Sequence, residues 1–205
     1  MKKLLENYPA LFSCEESINK ALELMEKTYK SGGKILLCGN GGSCADCDHI
    51  VGELMKGFLS KRPIKPEFKK DLEKLFPDDA EYMAEHLQQG ISAISLNSHA
   101  AVLSAFANDV AADMVYAQMV YGYGRKNDLL IGISTSGNSK NVVNAVKVAK
   151  AMGIKTIALT GKKECLLDMA DVTVKAPETE TYRIQEYHLP IYHYLCAELE
   201  RRIFG

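Results

Sequence analysis

His49 and Glu53 stand four residues apart in a stretch patterned as a helix, so an imidazole and a carboxylate project from one face. Far downstream, Gln185 and His193 are eight residues apart, about two turns of a C-terminal helix. Two imidazoles, a carboxylate and an amide supply nitrogen and oxygen donors for a metal such as zinc, or a base and an acid held near a sugar chain. Each pair alone also fits a plainer role. A His–Glu pair can be a surface hydrogen bond, and a histidine among tyrosines can be a core residue with its nitrogens satisfied.

Two Gly/Ser-rich loops point to an anionic ligand. Gly39-Asn40-Gly41-Gly42-Ser43 follows the apolar run 35–38, and Ser134-Thr135-Ser136-Gly137-Asn138-Ser139 follows the apolar run 129–133. Both read as strand, tight turn and helix start, where free N–H groups and the helix dipole converge. Ser134, Thr135, Ser136 and Ser139 add four hydroxyls, which suits the oxygens of a phosphate. Either loop alone could be a βα turn whose serine caps the next helix. Neither is a nucleotide signature: the first lacks the G-x-G-x-x-G spacing, and the second lacks the Gly-Lys-Ser/Thr end of a P-loop.

The elements that must position these groups follow from periodicity. Five candidate strands at 35–38, 91–96, 129–133, 156–160 and 171–175, most of them nearly continuous apolar runs separated by helical patterns, predict a parallel sheet covered on both faces. An N-terminal helix is expected over 8–31, with Leu11, Ile18, Leu22, Met25 and Tyr29 on one stripe that packs on the body or on a partner subunit. Residues 61–89, punctuated by Pro63, Pro66 and Pro77, read as a helical insertion of two short charged helices (67–76 and 79–89) that could lid a pocket or extend a subunit contact.

Composition narrows the classes. Lys and Arg total 25 against 26 for Asp and Glu, a net charge of −1, so no global field draws the chain to nucleic acid or an acidic membrane. No stretch approaches a membrane span and no signal-like apolar run follows Met1, which predicts a cytoplasmic protein. Six cysteines are then expected as thiols. Cys44 and Cys47 form a C-x-x-C at a helix start, where a lowered thiol pKa is expected, but no second pair completes a metal site.

The ordered set Cys38-Gly39-Asn40-Gly41-Gly42-Ser43, Asp46, His49, Glu53, Asn108-Asp109, Gly132 to Ser139, Arg183-Ile184-Gln185-Glu186 and His193 resembles the phosphoheptose isomerases of the sugar isomerase (SIS) domain superfamily. The Gly132–Ser139 run marks the superfamily, and His49, Glu53, Gln185 and His193 together point to the family. The resemblance implies a single SIS domain over 1–205. It also implies an α/β, flavodoxin-like, doubly wound five-stranded parallel sheet, and a homotetramer with active sites at subunit interfaces. The implied enzyme is an aldose–ketose isomerase converting sedoheptulose 7-phosphate to D-glycero-D-manno-heptose 7-phosphate. The alternatives are another sugar phosphate, or a non-catalytic SIS sensor or protein-binding module.

By the same resemblance Glu53 is the base and His193 its acid/base partner. His49, Glu53, Gln185 and His193 would be zinc ligands. Substrate contacts would come from Asn40, Gly41, Gly42, Glu53, Asn108, Asp109, Ser134, Thr135, Ser136, Ser139 and Gln185, with Ser43 beside them in the first loop. The chain departs from the family pattern at Tyr182, where Asp is usual, and at Gly57, where Arg is usual. Pro190, between Gln185 and His193, is expected to kink their helix.

Overall fold

The structure is a computed structural model describing residues 1–205. Five strands, β1 (Ile35–Gly39), β2 (Ala93–Ser95), β3 (Leu129–Ile133), β4 (Lys155–Thr160) and β5 (Val172–Lys175), form one parallel sheet in the order β2-β1-β3-β4-β5. This is the doubly wound α/β order expected. Successive side chains along β1 go to opposite faces: Ile35 and Leu37 join one apolar cluster, Leu36 and Cys38 the other. Both clusters are closed by helices, which is why the strands are apolar on both faces.

The helices are α1 (Lys2–Asn7), α2 (Glu15–Lys30), α3 (Gly42–Met55), α4 (Pro66–Leu75), α5 (Ala80–His86), α6 (Ala100–Phe106), α7 (Val115–Tyr123), α8 (Lys140–Ala151) and α9 (Thr181–Phe204). Cys47, Ile50 and Leu54 of α3 and Ile191, Leu195 and Leu199 of α9 share the first cluster with Ile18, Leu22 and Met25 of α2. Val142, Val143 and Val146 of α8 and Met119 and Val120 of α7 build the second. The helices after β1 and β3 therefore leave the sheet on opposite faces, and their N-termini flank the point where strand order reverses. A crevice at the carboxyl ends of the strands forms at such a point.

Several boundaries differ from expectation for local reasons. The N-terminal helix is not continuous over 8–31: Pro9 opens a 3-10 stretch to Cys14 before α2, and a separate α1 precedes it. The expected stripe packs on the body, with Leu11 of the 3-10 stretch and Ile18 and Leu22 of α2 at 0 % exposure. Strand β2 is only three residues long because the Ile91 N–H bonds to the Leu54 carbonyl (2.8 Å) and Leu96 starts a 3-10 turn. Helix α9 runs unbroken through Pro190, so the expected kink does not divide it. The 61–89 stretch forms α4 and α5, pinned at its base by a Pro63–Gln88 bridge, with Phe68, Leu75, Phe76 and Tyr82 exposed.

Candidate active site

The loop after β3 gathers hydroxyls. Ser134 is buried, and its Oγ lies 3.0 Å from Ser139 Oγ and 3.4 Å from Ser136 Oγ. Ser139 is the N-cap residue of α8, yet its side chain makes no cap hydrogen bond, because the hydroxyl is turned to Ser134. The N–H groups of Lys140 and Asn141 thus stay open to a ligand, while that of Val142 donates to Asn141 Oδ1 at 3.0 Å. Gly137 sits at φ +64°, and a Cβ there would lie against Cys165 Sγ, so the loop tolerates only glycine at that point. Thr135 and Ser136 line a cleft with Gly161, Lys162, Thr181 and Ile184.

The loop after β1 is tied to this one. Asn40 Nδ2 donates to Asn141 Oδ1 and Asn141 Nδ2 donates to Asn40 Oδ1, both at 2.9 Å. Tyr116, buried, donates its hydroxyl to the Gly39 carbonyl at 2.7 Å. Gly41 is the N-cap of α3, again without a side-chain cap, and Ser43 is buried behind it. A Cβ on Gly42 would come within 2.6 Å of Gln185 Nε2, so glycine lets the start of α9 reach the start of α3.

Farther along, α3 and α9 bring the chemistry-bearing side chains together. His49 Nε2 lies 3.3 Å from Glu53 Oε1, and the His49 and His193 rings meet edge to face at 5.1 Å between centroids. His49 Nδ1 is 2.9 Å from Tyr192 Oη, which also donates to Asp46 Oδ1 at 3.3 Å. The Glu53 side chain is 14 % exposed, and its Oε2 is buried with no hydrogen-bond partner, Lys56 Nζ standing 3.6 Å away. Such an orphaned carboxylate oxygen is poised to take a proton from something bound beside it.

Local electrostatics support that role. Burial, and then the neighbouring His49, lower the His193 pKa, with Glu53 opposing, so the imidazole is neutral at pH 7 and able to pass a proton either way. Burial raises the Asp46 carboxyl, against the hydrogen bond from Tyr192. Burial is also the first cause that raises the Tyr192 phenol, which therefore stays protonated, and Asp46 adds to it.

The chain end of α3 is fixed by Arg62, whose guanidinium donates to the Leu54 carbonyl at 2.7 Å and the Glu53 carbonyl at 3.3 Å. Arg62 is paired with Glu200 of α9 at 2.7 Å, the two side chains being 0 % and 2 % exposed. Glu200 also accepts the N–H groups of Phe58, Leu59 and Ser60. The turn after Glu53 is thereby strapped to α9.

Other expectations fare differently. Asn108 and Asp109 lie on a π-helical turn, Ala107–Ala111, exposed and hydrogen-bonded to each other at 2.8 Å. Gln185 stands at Gly42, seven residues and about 10 Å of helix rise before His49. The donor types suit zinc, but no three His, Cys, Asp or Glu side chains gather about one point. Of the four expected ligands, His49, Glu53 and His193 nonetheless stand beside one another and Gln185 stands apart, so these three are the residues that would hold such an ion. The lowered thiol expected at Cys44 and Cys47 is contradicted: burial raises both, more strongly for Cys47, with acidic neighbours adding to it. All six cysteines are free.

Tyr192, Asn141, Tyr116 and the Arg62–Glu200 pair were not read from the sequence as site residues. Tyr192 and Asn141 adjoin motif residues, which is a usable signal. Nothing in the sequence pairs Arg62 with a carboxylate 138 residues away.

Fold and site together define an α/β protein of the SIS type, and a SIS-domain family model matches residues 13–89 and 83–161. The phosphoheptose isomerase of Akkermansia muciniphila is 33% identical over 203 residues, covering 98% of this chain and 94% of the relative. That of Helicobacter pylori strain P12 is 37% identical over 202 residues, covering 98% and 88%. The solved structure of phosphoheptose isomerase GmhA from Neisseria gonorrhoeae superposes with a TM-score of 0.76 at 32% identity, covering 98% of this chain and 94% of that one. The chain belongs to the phosphoheptose isomerase family of SIS-domain proteins.

Proposed function

We propose that the protein isomerises sedoheptulose 7-phosphate to D-glycero-D-manno-heptose 7-phosphate. The observation that carries this reading is the buried Oε2 of Glu53, which accepts no hydrogen bond and has the Lys56 ammonium 3.6 Å away, beside His49 and His193 on a scaffold whose serine loop suits a phosphate. Glu53 takes a proton from C1 of the ketose while the C2 carbonyl gains electron density, giving an enediolate. The neutral imidazole of His193 moves a proton between O1 and O2, and Glu53 returns its proton to C2, leaving the aldehyde at C1. Charge on the enediolate oxygens is met by the imidazoles, and the distant phosphate, held by Ser134, Ser136 and Ser139 and the start of α8, orients the chain.

The working form in this proposal is a cytoplasmic homotetramer whose active sites are completed across subunit interfaces. Supporting it, His193 opens onto a groove with Tyr8, Phe58, Leu59 and Leu189, and Leu59 is 74 % exposed, an apolar face that a second copy would cover. No helix is long and apolar enough to cross a membrane.

A panel of ketose phosphates, assayed for aldose formation with sedimentation run in parallel, tests the reading. Turnover of sedoheptulose 7-phosphate above the other sugars supports it. Inertness toward every ketose phosphate, with tight sugar-phosphate binding retained, would move the protein to the sensors.

A further inference from the structure

Asn138 belongs to the serine loop but has no part in the steps above. Its side chain links this loop to the turn that follows β4. Nδ2 donates to the Ser136 carbonyl at 3.0 Å, and Oδ1 accepts the Leu166 N–H at 2.9 Å. A carbonyl only accepts and an N–H only donates, so the two partners together fix which end of the amide faces which loop. The far end is itself anchored. Leu166 opens the 3-10 turn Leu166–Met169, which Asp168 holds by accepting the Cys165 N–H at 3.1 Å and pairing with Lys175 of β5 at 2.7 Å. Backbone bonds run beside the amide, from the Gly161 N–H to the Thr135 carbonyl at 3.0 Å and from the Leu167 N–H to the Gly137 carbonyl at 3.1 Å.

We propose that Asn138 is a positioning residue that braces the serine loop against this turn and so holds Ser136 in the pose that serves the phosphate of a bound sugar. The proposal deepens the sugar-phosphate reading and rests on it; the brace does not. Ser136 is exposed, and its hydroxyl stands 3.4 Å from Ser134 Oγ, longer than a good O–H···O bond. The Asn138 N–H donates to Ser136 Oγ at 3.2 Å, so that oxygen is an acceptor here and its own proton is free for a phosphate oxygen. With the Ser136 carbonyl and the Asn138 N–H both held, the hydroxyl meets the ligand already placed. Without the amide, binding must also order the loop, which lowers affinity.

Two variants break the brace from opposite ends. Asn138→Ala removes both side-chain bonds at an exposed position and leaves no cavity. Leu166→Pro removes only the N–H that Asn138 accepts; the site is 54 % exposed and is the first residue of a 3-10 turn, after an extended Cys165 (φ −155°, ψ 170°), where proline fits. Binding of sedoheptulose 7-phosphate and of unphosphorylated sedoheptulose is measured by titration calorimetry, and turnover by steady-state kinetics. Asn138→Ala should weaken the sugar phosphate about fivefold and Leu166→Pro about threefold, with kcat within about twofold and affinity for sedoheptulose unchanged. Wild-type affinity for the sugar phosphate in either folded variant, or equal weakening toward both sugars, overturns the proposal. Should one variant fail to fold, the other decides. A wild-type protein that binds sedoheptulose 7-phosphate without turning it over overturns the isomerase reading instead, and the binding ratios then decide the role of Asn138 alone.

Discussion

Asn40 and Asn141 exchange two hydrogen bonds of 2.9 Å across the seam between β1 and β3, so the two glycine-containing loops behave as one rim. Each amide fixes the other. Deleting one, as in Asn141→Ala, removes both of these neutral hydrogen bonds and a third, from the Val142 N–H to Asn141 Oδ1, at a partly exposed place, each worth about 0.5–1.5 kcal/mol in net terms. KM for the sugar phosphate should rise several-fold with kcat little changed. Steady-state kinetics check this, and an unchanged KM would show that the loops hold their places independently.

The serine loop should carry phosphate affinity. Ser136→Ala removes a hydroxyl from the cluster formed with Ser134 and Ser139 and should weaken substrate binding by about 1.5–3 kcal/mol, the range for a hydrogen bond to a charged group. Competition experiments with sedoheptulose and its 7-phosphate provide the check. Equal competition by the two sugars would remove the loop from phosphate recognition.

The Arg62–Glu200 pair should matter for stability. Glu200→Ala leaves a guanidinium buried without its counter-charge and frees three backbone N–H groups, so it should cost about 3–5 kcal/mol in urea unfolding. A loss under about 1 kcal/mol would mean that water reaches Arg62 readily.

His188 sets a pH dependence. Burial lowers its pKa from 6.5 to about 4, against a hydrogen bond with the Thr160 carbonyl. The unfolded chain therefore binds a proton that the folded chain refuses between those values. Stability from this residue is complete above pH 6.5 and declines as pH falls toward 4, by at most about 3 kcal/mol. His188→Gln should flatten this decline in unfolding experiments run between pH 7 and pH 4. An equally steep fall in the variant would assign it to other groups.

Strands β1 and β3 were legible because each is a short apolar run ended by a turn, and burial on both faces leaves no polar alternation to confuse the reading. The serine loop and the His49–Glu53 pair were legible because their partners are local in sequence. Contacts made only by packing α3 on α9 were not. Tyr192 to Asp46 and Arg62 to Glu200 join residues more than a hundred positions apart, and no periodicity encodes such a pair. The lowered pKa expected for Cys44 and Cys47 failed for a related reason: the helix start favours a thiolate, but burial, invisible in a four-residue motif, outweighs it.

The central claim is that Glu53 is the base, and Glu53→Gln tests it most directly. The amide keeps shape and hydrogen bonding but cannot accept a proton, so kcat should drop at least about 10²-fold with substrate affinity nearly unchanged. In D2O the wild-type enzyme should place deuterium at C2 of the aldose, because a proton on Glu53 exchanges with solvent between the two transfers. A Glu53→Gln protein that turns over sedoheptulose 7-phosphate at near wild-type rate would contradict the account.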